Sequence, residues 1–337
     1  MLRSLTIMGM RKVTNLEESP EYEKETLELI ESSLGYDKNN QFSIDFYPLF
    51  NKDNLKNCFI LLEDKKVIGH IGCLNRKFDL LTEHPINMYG GIAIHKDFRG
   101  KGLFTDFFHK VLNSSSKAAL HFLWSEQLEL YEKFNFYPCV ELIHYNKIDS
   151  PSSHQWDQTK LKDINQKDLN QIKDLYTLNE EIRLLRDDKH WTELSKISSS
   201  DLYLKREGEK ILNYFFMNKG QDLKGIIHEY GIINEHELSE LISFGHLWSP
   251  YKGDAELSHQ ILFGSVARLG DSKLFNYFLN EYAGAEFISS TEDEITVKLD
   301  SEEFTLSQKD FLPGILGPGK FKEFETQDLF ISGLDSI

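Results

Sequence analysis

The chain is short of cysteine, of positive charge and of long apolar runs. Its three cysteines are Cys58, Cys73 and Cys139. None belongs to a CxxC pair or a His/Cys cluster, so no zinc or other metal site is expected. An odd count without a framework argues against a disulfide scaffold and for a reducing compartment. Lysine and arginine number 38 against 54 aspartates and glutamates, a net charge of -16. Phosphate contacts need a basic surface, so a nucleic-acid partner is not expected. No run approaches the ~20 apolar residues of a membrane span, and no membrane partner is expected. The start offers Leu5, Ile7 and Met8, then Arg11 and Lys12, too short and interrupted for a secretory signal. These shortages together point to a cytoplasmic protein.

What is present is ordinary globular material: 40% hydrophobic and 27% charged residues in 337. At roughly 150 residues per domain this length suggests two domains, each able to bury a core. A polar break, Asp149-Ser150-Pro151-Ser152-Ser153, divides the chain into residues 1–150 and 151–337.

In the first part, Glu21 to Leu34 reads as a helix closed by Gly35. Cys58 to Leu62 and Val67 to Leu74 read as a hairpin around Glu63-Asp64-Lys65-Lys66. Asn87 to Ile94 reads as a strand whose Gly90 and Gly91 suggest a bulge or a close approach. Leu103, Phe104, Phe107, Phe108, Val111 and Leu112 fall at helical spacing. Ala118 to Trp124 reads as a buried strand, Gln127 to Phe134 as a short helix, and Phe136 to Tyr145 as a last strand. The class is α/β.

The second part repeats this order: a strand at Lys160 to Ile164, helices at Asp168 to Glu181 and Arg186 to Ile197, a hairpin from Asp201 to Met217 turning at Gly208, a strand at Gly225 to Tyr230, and a helix at Glu235 to Phe244. The period is far longer than a solenoid repeat, so the pattern reads as a duplicated domain. The tail from Phe304 onward ends apolar and turn-rich, as a packed segment does.

Between the Asn87–Ile94 strand and its helix stands Arg99-Gly100-Lys101-Gly102. A glycine-rich turn there places free backbone N–H groups at a helix N-terminus, where they bind anionic oxygens. Gly100 and Gly102 remove the β-carbons that would block a phosphate. A nucleotide P-loop needs Ser or Thr after Gly-Lys, and Gly102 stands there. A dinucleotide fingerprint needs a further glycine where Thr105 stands. A third, competing reading is the diphosphate of coenzyme A.

At Arg99-Gly100-Lys101-Gly102-Leu103-Phe104 the chain resembles the GNAT acyltransferase superfamily, whose loop reads Gln or Arg, two residues, Gly, one residue, Gly or Ala. Phe104 departs from the small last residue. The element order extends the resemblance over about the first 145 residues. It implies a mixed, splayed sheet flanked by helices, and an acetyl-CoA co-substrate with its diphosphate on Arg99 to Phe104. It further implies that the pantetheine arm pairs along Ile92, Ala93 and Ile94, and that transfer proceeds by direct attack of an amine on the thioester. The segment Leu130-Tyr131-Glu132-Lys133-Phe134-Asn135-Phe136 matches the family's proton-donor region. Tyr131 is the matching acid, and Phe134 shares its helix face beside the co-substrate. Asn135 replaces the usual glycine and can adopt the same left-handed backbone.

Ser125 and Glu126 end the fifth strand where the thioester should lie, making Glu126 a candidate base; Glu83, His84 and His95 are others. Duplicated members of the superfamily place their C-terminal carboxylate in the active site, so the Ile337 carboxylate, or Asp335, is a further candidate. The second part resembles the degenerate partner domain of such tandem enzymes. Arg186, Trp191, Tyr203 and Gly208 fall in order, and Trp191, Trp248, Tyr251 and Phe263 could wall an acceptor pocket. The expected function is N-acetylation of a small-molecule or peptide amine. The alternative is a non-catalytic acyl-CoA sensor, against which Tyr131 speaks.

Overall fold

The computed structural model describes residues 10–149, 156–178, 181–231, 238–250, 258–317 and 319–337. The expected break at 150–153 and Tyr251 lie outside them.

The first part opens with a strand that the sequence analysis did not read, β1 (Arg11–Asn15), followed by α1 (Glu23–Leu34). Gly35 closes α1 at φ 72°, the left-handed region that favours glycine. Two short helices, α2 (Phe42–Asp45) and α3 (Tyr47–Phe50), lead to the hairpin β2 (Cys58–Glu63) and β3 (Lys66–Arg76). Asp64 and Lys65 both turn with positive φ, as a two-residue hairpin loop requires. Then come β4 (Ile86–Ile94), α4 (Leu103–Ser114), β5 (Leu120–Leu123), α5 (Leu128–Glu132) and β6 (Tyr137–Tyr145). Leu103, Phe107, Phe108 and Val111 are the buried stripe of α4. Asn135 takes the left-handed conformation at φ 61°.

The second part runs β7 (Asp157–Thr159), α6 (Gln166–Thr177), β8 (Ile182–Arg183), α7 (Asp188–Leu194), β9 (Asp201–Glu207), β10 (Lys210–Met217), β11 (Ile226–Gly231), α8 (Leu238–Leu241), β12 (His246–Ser249) and β13 (His259–Leu269). β7 lies a few residues before the expected Lys160–Ile164 strand, where Leu161–Asp163 forms a 3-10 turn instead. After β13 come α9 (Ser272–Ala283), β14 (Ala285–Ser290), β15 (Glu294–Leu299), β16 (Glu302–Ser307), α10 (Gln308–Leu316) and β17 (Leu329–Phe330). β14, β15 and β16 form a separate antiparallel sheet, and β17 pairs with β8.

The main sheet has twelve strands in the order β1-β2-β3-β4-β5-β13-β6-β12-β11-β10-β9-β7. It is an α/β structure with a mixed sheet: β4–β5 and β11–β12 pair parallel, the other strands antiparallel. Each part contributes one outer half of the sheet, and the two long strands cross over at the centre. β13 lies between β5 and β6, pairing Val266 with Leu123 and Pro138. β6 in turn pairs with β12, Leu247 opposite Tyr145. A cut in the chain near residue 150 therefore does not divide the sheet.

Among the described residues, no helix is long and apolar enough to cross a membrane.

Candidate active site

The site begins where β4 and β5 part. Their parallel register runs from Ile86 opposite Leu120 to Tyr89 opposite Leu123. There β5 ends, and β4 continues through Gly90 to Ile94 with only β3 beside it. A register shift against β3 falls between Gly90 and Ala93, at Gly91 with φ 60°, so the expected bulge is there. The His70 ring donates from Nδ1 to the Gly91 carbonyl at 2.7 Å, and burial lowers its pKa to about 4, keeping it neutral.

A cavity of about 850 Å³ opens in this gap. Ile92, Ala93 and Ile94 line it along β4, and Arg99, Gly100, Gly102, Leu103 and Phe104 line it at the head of α4. Gly100 and Gly102 stand at φ 72° and 75°, and added β-carbons there would meet nothing within 4 Å. Among the described residues, none of the amides from Gly100 to Phe104 has a hydrogen-bond partner within the chain. Gly102 also caps α4 without a side-chain bond. This is a cradle of free donors at a helix N-terminus, and it fits a diphosphate. Arg99 is held by its Nε, which donates to the Ile94 carbonyl at 2.8 Å. Lys101 does not line the cavity: its Nζ donates to the Asp97 carbonyl and lies 5.1 Å over the Phe98 ring.

Across the cavity are Trp124, Ser125, Glu126, Leu130 and Tyr131. Tyr131 is 5% exposed, and burial pushes its phenol well above the ordinary value, so it is protonated at neutral pH. Its ring meets Phe104 edge-on at 5.8 Å, and Phe104 stacks on Phe108 at 5.4 Å. Phe104, the departure from the loop pattern, is thus a wall for Tyr131. Phe134 lies outside this cavity; it is 2% exposed and packs edge-on against Phe108 at 4.8 Å.

The chain's last residue arrives from the other side. Ile337 lines the cavity together with Phe330, Ile331, Gly333 and Ser336. A β-carbon built on Gly90 would stand 2.4 Å from the Ile337 carboxyl carbon, so only glycine admits the terminus there. Asp335 is elsewhere: burial alone would raise its pKa, but Arg186 and Arg76 outweigh burial and bring it down to about 2. Its Oδ2 accepts from Arg186 Nη2 at 2.6 Å.

The other candidate bases do not line this cavity. His84 bonds Glu281 at 2.5 Å, and the His95 ring accepts from the Asp97 amide. Glu83 has no contact with it. Of the expected aromatic wall, Trp248 lines the cavity, whereas Trp191 is core, stacked under Arg186 at 4.7 Å. Phe263 packs with the α4-side cluster. Leu34, Phe42, Phe46 and Asp222 also line the cavity. Sequence reasoning missed these, because a helix end and a polar turn far apart in the chain carry no shared signal.

Residues 17–139 match the family model of the GNAT acetyltransferase domain. No curated protein matches the chain in sequence. Among solved structures, it is similar to a GCN5-related N-acetyltransferase from Anabaena variabilis at 13% identity and a TM-score of 0.60, over 88% of this chain and 85% of that one. A GCN5-related N-acetyltransferase from Kribbella flavida is similar at 10% identity and 0.59, over 90% and 85%. Eis1 from Mycobacterium abscessus is similar at 8% identity and 0.58, over 95% and 99%. At these identities the likeness is one of fold, and it spans both parts of the chain.

Proposed function

We propose that the chain is an N-acetyltransferase that moves an acetyl group from acetyl-CoA to a primary amine of a small molecule or peptide by direct attack. On this reading residues 1–150 are the catalytic domain and residues 151–337 a degenerate second GNAT-like domain with the tail, acting in the cytoplasm. The observation that carries the reading is the meeting of an anion cradle, a protonated tyrosine and the terminal carboxylate around one cavity.

The co-substrate supplies an activated acyl thioester. The Gly100–Phe104 amides and Arg99 hold its diphosphate, and the unpaired edge of Ile92 to Ile94 receives its amide-bearing arm as an added strand. As the C–N bond forms and the C–S bond breaks, the amine proton passes to a carboxylate and the departing sulfur takes a proton from Tyr131 Oη. The Ile337 carboxylate is the base on this reading, being ionised at neutral pH and held against Gly90. Glu126, which lines the same cavity, is the second candidate. Tyr131 suits the acid because burial favours its neutral form.

Thiol release from acetyl-CoA over a panel of small amines and peptides tests this. Tyr131→Phe should lower kcat about 10²-fold, and removal of Ser336 and Ile337 about 10²- to 10⁴-fold, each with little change in coenzyme A affinity. Coenzyme A binding without turnover on any amine would favour the sensor reading instead.

A further inference from the structure

The last residues join the two splays of the sheet. β11 pairs with β12 only through Ile227 and then bulges against β10 at His228, as β4 leaves β5 at Tyr89 and bulges at Gly91. In the second part the space beside the bulge is taken by the chain itself. The Gly333 amide donates to the His228 carbonyl at 3.2 Å, and a β-carbon on Gly333 would stand 2.6 Å from that of His228. Four residues later, Ile337 rests on Gly90.

One side chain gathers this turn. Lys219 follows β10, is 1% exposed, and covers the Phe46 ring at 4.5 Å. Its Nζ donates to the carbonyls of Gly333 at 2.8 Å, Leu334 at 3.3 Å and Ser336 at 2.6 Å, and lies 3.3 Å from Ser336 Oγ. The Ser336 carbonyl belongs to the peptide unit that carries Ile337. We propose that Lys219 is the positioning residue for the terminal carboxylate, binding the final turn through its carbonyls and so fixing Ile337 against Gly90. The proposal rests on the reading of Ile337 as the base; Lys219 itself touches no reacting atom.

The ammonium form matters, because it offers three donors and the neutral amine two. Asp335, Asp45 and Asp222 face Lys219 and favour the charge; Arg186 disfavours it, and the neighbouring His228 is neutral, its pKa lowered by burial to about 4. Burial outweighs the carboxylates and brings Lys219 down to about 7. The hold on the tail should therefore loosen as pH rises through neutrality.

Methyl NMR of full-length protein labelled at isoleucine δ1 tests this without any acceptor, the Ile337 signal being identified by its loss in Ile337→Val. In Lys219→Met the Ile337 methyl should move to its solvent-exposed position while Ile30 and Ile71 stay unchanged, and Lys219→Arg should restore it in part. An unmoved Ile337 signal in folded Lys219→Met overturns the proposal. Should Lys219→Met not fold, Lys219→Gln, which keeps donors on a shorter stem, decides: an Ile337 signal shifted towards its solvent-exposed position supports the proposal, and an unmoved one overturns it. A released tail with undiminished acetyl transfer would remove the base role from Ile337 and leave the positioning by Lys219 standing.

Discussion

The two splays of the sheet share a plan and differ in what fills them. In each, a parallel pair parts, the longer strand bulges just beyond, and a gap opens. In the first, a glycine loop with unpaired amides stands at the head of a 12-residue helix and the gap is a cavity. In the second, the sequence that follows β11, Ile232-Ile233-Asn234-Glu235-His236-Glu237, carries no glycine. The strand instead ends in buried charge: Arg186 holds both Glu229 and Asp335, and Arg76 pairs with Asp335 from the first part at 3.0 Å. Burial raises and Arg186 lowers the Glu229 pKa, with a net lowering, so this carboxylate stays ionised. One splay is a cavity, and the other is filled by the segment whose last residue lines the first.

The largest way to break this comparison is at the anchor. Arg186→Met leaves Glu229 and Asp335 buried without their main counter-charge and should cost about 3–5 kcal/mol, read by urea unfolding. A loss below about 1 kcal/mol would mean the network behaves like exposed pairs and does not tie the tail. Next is the contact itself. Gly90→Ala puts a methyl against the Ile337 carboxyl and should lower turnover about 10²-fold, the scale of a displaced catalytic group, with the unfolding midpoint little changed. Unchanged turnover would show that the terminus is only closing the fold. The smallest effect is at the loop. Arg99→Ala should weaken coenzyme A binding about tenfold by calorimetry and leave acceptor KM nearly unaltered. Equal loss of both would mean that Arg99 supports the β4–α4 turn through its bond to Ile94 rather than the diphosphate.

Much of the first splay was legible because its signals are local. The α4 stripe, the Asp64-Lys65 turn, the left-handed Asn135 and the glycines of the loop are each decided by residues within a few positions of one another. The boundaries of α1, β2, β3 and β4 fell within a few residues of expectation for the same reason. β1 escaped notice because it is a five-residue edge strand that opens on two exposed charged residues. The region from β14 to β16 escaped because its strands alternate weakly and sit half in solvent. Lys219 escaped because Asn218-Lys219-Gly220-Gln221-Asp222 looks like a solvated turn, and nothing local shows that its lysine is buried under the tail. Asp335 was read as a possible base and is instead the partner of two arginines.

By itself, then, the sequence determined the class of the fold and the strand–loop–helix whose free amides line the cavity, since each depends on backbone propensity and spacing along one stretch of chain, while Tyr131 was singled out by the resemblance of its segment. It also raised the C-terminus as a candidate without being able to place it. Only the tertiary structure decided that β13 enters between β5 and β6, that the second splay is filled by Gly333, and that Ile337 meets Gly90. Those contacts join residues more than a hundred positions apart. They are chosen by which buried surfaces and charges can be satisfied together, a condition that no local pattern records.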